Sequence, residues 1–106
     1  MNKYDRAIRE LETLGSATMK CSGNSMLPIL SNPSTCVYRR QERYAVGDIV
    51  FCKVKGRFID AHLITRTAAD GRYLIANNRG HENGWTATVY GRVVEAVDKA
   101  GRAKTF

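Results

Sequence analysis

The sequence predicts a small, mainly β domain with one short α-helix at its N-terminus. The chain has 106 residues, a length that suits a single domain with one hydrophobic core. Apolar side chains recur at helical spacing in residues 1–15 only. After Gly15 the sequence changes to short runs of β-favouring residues separated by Gly, Pro, Asn and Asp. That pattern is typical of a small β-sandwich or barrel.

The helix is predicted over residues 3–14, which have an apolar face and a largely charged opposite face. The apolar residues at helical spacing are Tyr4, Ala7, Ile8, Leu11 and Leu14. Gly15 follows as a candidate C-cap, because glycine readily adopts the left-handed conformation that ends a helix. We expect this helix to cover one end of a barrel or to contact a partner.

Six segments after the helix are predicted as strands, and residues 17–98 are expected to form the β-rich core. The segments are residues 17–21, 35–39, 48–55, 57–66, 72–76 and 86–98. Gly56 indicates a hairpin turn between the third and fourth segments. The Ala-Asp-Gly at 69–71 indicates a second turn. Residues 99–106 are expected to be a loose tail.

The chain is basic, and its charge admits nucleic acid as one class of partner. Lys and Arg number 17 against 10 Asp and Glu, which gives a net charge of +7 and a field that attracts polyanions. Two basic clusters stand out, and their members are Arg39, Arg40, Arg43 and Lys53, Lys55, Arg57. No nucleic-acid-binding motif accompanies them, so the charge does not by itself identify a partner.

The cysteines and histidines predict neither a metal site nor a cofactor. Cys21, Cys36 and Cys52 are widely separated and form no CxxC pair, so they fit neither a zinc ribbon nor a complete disulfide framework. Free thiols are typical of a reducing compartment. No apolar run approaches the roughly 18 to 20 residues that cross a bilayer. We therefore expect a soluble, cytoplasmic protein without a transmembrane segment.

The segment between the first two predicted strands contains a serine on a bent backbone. Residues 21–30 read CSGNSMLPIL. Gly23 permits a positive φ, and Pro28 fixes its own φ and makes Leu27 extended, so Ser25 should lie on a tight turn. Such a turn presents a hydroxyl and a backbone N–H together, as acyl transfer requires. On the residues alone, the alternative is that the Ser25 hydroxyl caps its own turn.

Four blocks of the sequence resemble one family. SGNSMLP resembles the SGxSMxP box of the signal peptidases and of the self-cleaving SOS repressors, the LexA-like serine peptidases. VGDIVFCKV at 46–54 resembles their second block, DAHLITR at 60–66 the segment with the general base, and YGRVVEAV at 90–97 the closing strand. The blocks occur in family order over about residues 19–97. The resemblance implies a small coiled β-barrel with peptidase activity.

The resemblance also implies roles for individual residues. Ser25 takes the position of the nucleophile and His62 that of the general base, which is lysine in bacterial signal peptidases and histidine in the archaeal and endoplasmic-reticulum enzymes. No lysine occurs from 56 to 98, so the implied dyad is Ser-His. A histidine has a pKa near 6.5 and accepts a proton at neutral pH without a large shift. The residues implied for the oxyanion hole and the peptide cleft are Gly23, Asn24, Met26 and Pro28.

A histidine base needs an acceptor for its second ring nitrogen. Asp60 is one candidate, because on a regular strand it projects to the same face as His62. Glu82 is another. The histidine-type relatives supply an aspartate in the segment that here reads LIANNRGHENGW, and Asn78 stands where that acid would fall.

The sequence therefore leaves three functions open. The first is a serine endopeptidase that cleaves itself or another protein with Ser25 and His62. The second is an inactive peptidase-like binding module, such as a phage regulator that engages a host protein. The third is nucleic-acid binding through the two basic clusters.

Overall fold

The computed structural model describes residues 1–106 and contains one α-helix and eight β-strands in one antiparallel sheet. The elements are α1 (Lys3–Leu14), β1 (Ser16–Cys21), β2 (Ser34–Arg39), β3 (Ile49–Val54), β4 (Arg57–Thr67), β5 (Tyr73–Ala76), β6 (Glu82–Thr86), β7 (Val89–Asp98) and β8 (Ala103–Thr105). The predicted mainly β fold with one short N-terminal helix is confirmed. No helix in the structure combines the length and the apolar composition that a membrane crossing requires.

The strand order is β1-β2-β7-β3-β4-β5-β6, and β8 pairs with the end of β7. The sheet curls into a half-barrel, so β3 also approaches β6. Because of this curl, the loop between β1 and β2 lies against the loop between β5 and β6. The backbone N–H of Asn78 donates a hydrogen bond of 2.9 Å to the carbonyl oxygen of Ser25.

The predicted helix and turns are present. Gly15 ends α1 with a φ of 78°, and its N–H donates to the carbonyl oxygen of Leu11. The hairpin between β3 and β4 turns at Lys55 and Gly56, which both have positive φ. Two consecutive residues of positive φ are typical of the tight turns that join twisted antiparallel strands.

Two strands differ from the sequence-based expectation. Residues 82–86 form β6, which was not predicted, by pairing with β5. The predicted strand at 86–98 begins only at Val89, after a turn in which Thr86 accepts a hydrogen bond from the N–H of Thr88. Residues 103–105, expected to be loose, pair with β7 as β8. Neither segment has the alternating apolar pattern that predicts a strand, and β6 includes Asn83 and Gly84, which rarely occur in strands.

The helix packs on the sheet through Ala7 and Leu11, which are both 1% exposed. The same core contains Phe51 from the sheet, together with Met26 and Leu30 from the loop between β1 and β2. Because this loop contributes two buried side chains, it is anchored to the centre of the fold. The position of Ser25 therefore depends on the main hydrophobic core.

Replacing Leu11 with alanine is expected to destabilise the protein by about 2 to 5 kcal/mol, because it removes buried methyl groups and leaves a cavity under α1. Leu14 provides a matched control, since it lies on the same helix but is 75% exposed. Leu14→Ala should change the free energy of unfolding by less than about 0.5 kcal/mol. Chemical denaturation of both variants measures the difference, and equal losses would show that α1 is not docked through Leu11.

Candidate active site

Ser25 lies in the loop between β1 and β2, and a network of polar contacts holds this loop. Gly23 has a φ of 109°, as a tight turn requires. The N–H of Gly23 donates to Oδ1 of Asn32 at 2.9 Å, and Nδ2 of Asn32 donates to Oδ1 of Asn24 at 2.9 Å. Met26, immediately after the serine, is buried in the core. The turn expected around Ser25 is therefore present and held on both sides.

His62 lies on β4, where a β-bulge changes the direction of the side chains. Val50 of β3 pairs with His62, but Cys52 pairs with Ile59, so β4 has one extra residue at this point. An extra residue interrupts the alternation of faces along a strand. Accordingly, Phe58 packs with the main core, whereas Ile64 belongs to a second apolar cluster. On a regular strand Phe58 and Ile64 would share a face, so the bulge separates the two halves of β4.

The Ser25 hydroxyl and the His62 ring are in contact. Oγ of Ser25 lies 3.1 Å from Nε2 of His62, and both side chains are half-buried. The hydroxyl makes no other hydrogen bond within the protein, so it does not cap its own turn. Two residues that are 37 positions apart in the chain thus share one hydrogen bond.

Asn83 on β6 occupies the other side of the imidazole. Its Oδ1 lies 2.7 Å from Nδ1 of His62. Since a carbonyl oxygen only accepts, Nδ1 donates the proton and Nε2 presents its lone pair to Ser25. Asn83 was not predicted, because nothing local distinguishes it from the other polar residues of LIANNRGHENGW. The position of β6, itself not predicted, brings Asn83 to the ring.

The His62 ring is neutral at neutral pH. Burial lowers the pKa of His62 below its ordinary value of 6.5. The hydrogen bond that the ring donates to Asn83 and the charge of Asp60 raise the pKa, whereas His81 lowers it further. A neutral imidazole is the form that accepts a proton.

Neither candidate orienting acid contacts the ring. The carboxylate of Asp60 pairs with Nζ of Lys3 at 2.9 Å, and Glu82 is exposed. The orienting contact expected from Asp60 or Glu82 is therefore absent, and Asn83 makes it instead. Asp60 still acts on His62 through its charge, because it raises the pKa of the ring.

Asn78, at the position where an acid was expected, does not contact His62 either. Its Nδ2 donates to the carbonyl oxygen of Leu27 at 2.9 Å, and its backbone N–H donates to the carbonyl oxygen of Ser25. Asn78 thus joins the loop that carries Ser25 to the loop between β5 and β6. An aspartate at this position would lack the side-chain donor for the first of these bonds.

Two backbone N–H groups at Ser25 have no hydrogen-bond acceptor within the protein. The N–H groups of Ser25 and Met26 donate no hydrogen bond within the protein. Of the residues expected at the cleft, Gly23 and Met26 line it, whereas Asn24 and Pro28 do not. A free N–H at the nucleophile is the donor that an oxyanion requires.

A cleft of about 570 Å³ contains the Ser25 and His62 side chains. The loop between β1 and β2, the first half of β4, the β3–β4 hairpin and the start of α1 form its walls. The exposed His81 also borders the cleft. No group of three or more His, Cys, Asp or Glu side chains is arranged to hold a metal ion.

Cys21 also borders the cleft but is not a second nucleophile. Its Sγ lies 2.8 Å from the hydroxyl of Tyr38, and the thiol is buried. The neighbouring Cys36 thiol and burial raise the pKa of Cys21. The sulfur therefore remains a protonated thiol, which is a poor nucleophile. All three cysteines are buried and free.

No protein-family model matches the chain, and no curated protein matches it at significant similarity. The resemblance of the four sequence blocks to the LexA-like peptidases therefore stays a prediction.

Proposed function

We propose that the protein is a serine endopeptidase-like hydrolase that cleaves peptide bonds with Ser25 as nucleophile and His62 as general base. The observation that carries this proposal is the distance of 3.1 Å between Oγ of Ser25 and Nε2 of His62 inside a cleft. A nucleophile within hydrogen-bond reach of a base, which is itself oriented by a third group, is the arrangement that covalent hydrolysis needs.

In the first half of the reaction, Oγ of Ser25 attacks the carbonyl carbon of the peptide and Nε2 of His62 takes the hydroxyl proton. The carbonyl oxygen becomes negatively charged, and the free N–H of Ser25 stabilises it. The C–N bond then breaks, and His62 gives its proton to the leaving amine nitrogen. The product of this step is an acyl-enzyme on Ser25.

In the second half, a water molecule attacks the acyl carbon while His62 accepts a proton from it. The bond between Oγ and the acyl carbon breaks, and His62 returns the proton to Oγ. Throughout, Nδ1 of His62 stays hydrogen-bonded to Oδ1 of Asn83. A neutral amide stabilises the charged ring less than a carboxylate does, so we expect modest turnover.

The sheet offers a place for an extended peptide. On the side opposite β3, strand β4 pairs with β5 through Leu63–Thr67 only. Residues 58–62 of β4 therefore have no strand partner on that side. An extended peptide added there would form backbone hydrogen bonds beside His62. This free edge supports a peptide or protein substrate over a small ester.

A fluorophosphonate probe tests the proposal without knowledge of the substrate. We expect covalent labelling at Ser25, identified by mass spectrometry of the digested protein. The label should be lost in Ser25→Ala and in His62→Ala and retained in Ser16→Ala, a control on the exposed face of β1. Labelling that persists in Ser25→Ala would reject Ser25 as the nucleophile.

The labelling rate should depend on pH through His62. Only the neutral ring accepts the serine proton, so the rate rises as pH increases through the pKa of His62 and is constant above it. Because burial lowers this pKa below 6.5, the midpoint should lie below pH 6.5. A series of labelling rates measured from acidic to neutral pH gives the midpoint, and a midpoint well above 6.5 would contradict a buried neutral base.

One observation favours a second function, a peptidase-like binding module without activity. The group at Nδ1 of His62 is an amide and not a carboxylate. Such a module would bind a protein partner in the same cleft. It would show no labelling of Ser25, and its binding would be indifferent to Ser25→Ala.

A further inference from the structure

We infer that the cleft binds a peptide segment rich in Asp and Glu, and that Lys55 and Arg57 select it. We refer to these two residues as the basic end of the cleft. The inference deepens the proposed function, on which it rests, by naming the class of substrate.

The charges that border the cleft are unbalanced. Lys3, Lys55 and Arg57 line it together with a single carboxylate, Asp60. The Asp60 carboxylate already pairs with Lys3 at 2.9 Å. Lys55 and Arg57 are exposed and form no ion pair. A peptide carboxylate is therefore the missing counter-charge on this wall.

The end of the Lys55 side chain lies against Gly84 of β6. A Cβ atom at Gly84 would lie 3.1 Å from Cε of Lys55 and 3.3 Å from Cγ1 of Val54. Gly84 thus leaves the room that the Lys55 side chain occupies. Since Gly84 directly follows Asn83, Lys55 contacts β6 beside the residue that contacts His62.

Aromatic rings hold other ammonium groups around the same cleft. The rings of Tyr4 and Phe58 stack with their centroids 4.6 Å apart, and both rings border the cleft. Nζ of Lys53 lies 4.7 Å from the centroid of Phe58, and Nζ of Lys3 lies 5.1 Å from that of Tyr4. Such contacts stabilise a cation near the ring face. Lys3 and Lys53 thus add positive charge that packing positions next to the cleft.

The strand geometry gives the spacing between the acidic side chains and the bond that is cut. Arg57 and His62 pair with Val54 and Val50 of β3, which are four residues apart. An extended strand rises about 3.3 Å per residue, so roughly 13 Å separates Arg57 from His62. A peptide that runs along β4 would then carry its acidic residues about three to five positions from the cleaved bond, on one side of it.

A peptide fits these observations better than a nucleic acid. The other basic cluster does not extend the surface, because Arg40 lines a separate cavity that shares no residue with the cleft. A nucleic acid gains most of its affinity from many contacts between phosphates and basic side chains, and the cleft offers few of them. No two acidic residues are adjacent within residues 1–106, so these residues do not supply the acidic segment themselves.

Binding to the Ser25→Ala chain tests the inference without cleavage. The probes are fluorescein-labelled dodecapeptides of Ala, Gly and Ser with four Glu residues at one end or the other, each matched by a peptide with Gln in place of Glu. We expect the Glu form of one pair to bind about tenfold more tightly than its Gln form, with a preference that weakens at high salt. Equal affinity, or no binding of the Glu peptides, would overturn the inference.

Two pairs of further substitutions in the Ser25→Ala chain localise the effect. Adding Lys55→Glu and Arg57→Glu should remove the preference for Glu. Adding Arg39→Glu and Arg40→Glu makes the same change of charge outside the cleft and should preserve the preference for Glu. An equal loss of this preference with both pairs would indicate a general effect of charge and reject selection by the basic end. A single-stranded DNA 20-mer that displaces the peptide and is weakened equally by both pairs would identify a nucleic-acid surface.

The same experiments separate the inference from the proposed function. Fluorophosphonate labelling of Ser25 without a preference for Glu would support the proposed hydrolase and reject the acidic substrate. A preference for Glu without labelling would reject the hydrolase and leave the acidic peptide as the occupant of the cleft.

Discussion

Ser25→Ala is expected to lower peptide cleavage by at least about 10³-fold, since Ser25 carries the hydroxyl that contacts the His62 base. The melting temperature should change little. Ser25 is only half-buried, and its loop is anchored by Met26, Leu30 and Asn32. Incubation with a proteome-derived peptide library, followed by mass spectrometry of the new termini, measures the cleavage, and a thermal melt measures the stability.

The control for this experiment is again Ser16→Ala, which changes an exposed serine and should cleave like the wild type. Fragment patterns that are identical for the wild type and Ser25→Ala would show that the cleavage does not come from this serine. The peptidase proposal would then be rejected.

Asn83→Ala is expected to lower kcat/KM by roughly 10²-fold, because His62 loses the acceptor that fixes its tautomer and orientation. Asn83→Asp should instead raise the activity at high pH. A carboxylate beside Nδ1 favours the charged ring and raises the pKa of His62, so the rise in activity moves to higher pH. Above that pH the activity should exceed that of the wild type, because the imidazolium formed during the reaction is stabilised.

The pH profile distinguishes a positioning role for Asn83 from a merely structural one, because a packing defect would lower activity without moving the midpoint. Glu82→Ala is the matched control, since Glu82 is adjacent in sequence, exposed and makes no contact with the ring. A midpoint that moves in Glu82→Ala but not in Asn83→Asp would assign the orienting role to Glu82 instead.

Much of the fold was predictable because its signals are local. The 3.6-residue apolar pattern and Gly15 predicted α1 with both of its ends, and Gly56 predicted the hairpin that follows β3. Gly23 and Pro28 predicted the turn at Ser25. Each of these depends on the conformational preferences of a few neighbouring residues, which act before any distant contact forms.

The orienting residue was not predictable in the same way. Alternation along a regular strand assigned Asp60 to the side of His62, but the bulge between β3 and β4 breaks that alternation. Asn83 lies on β6, a short strand without an apolar pattern, which exists because it pairs with β5. Bulges and edge pairings depend on how distant segments fit together, so single-strand patterns do not contain them.

From the order of its residues alone, this chain has a mainly β fold, an N-terminal helix, and a bent loop that presents Ser25. The pairing of Ser25 with His62 was an expectation from resemblance, and the contact itself depends on the curl of the sheet, which brings the β1–β2 loop onto β4. The roles of Asn78 and Asn83, as a link between loops and as the acceptor at the ring, came from that same curl. Asn78 and Asn83 have the same side chain, and no local sequence feature distinguishes their roles. Each role depends on which distant segments the folded sheet brings together.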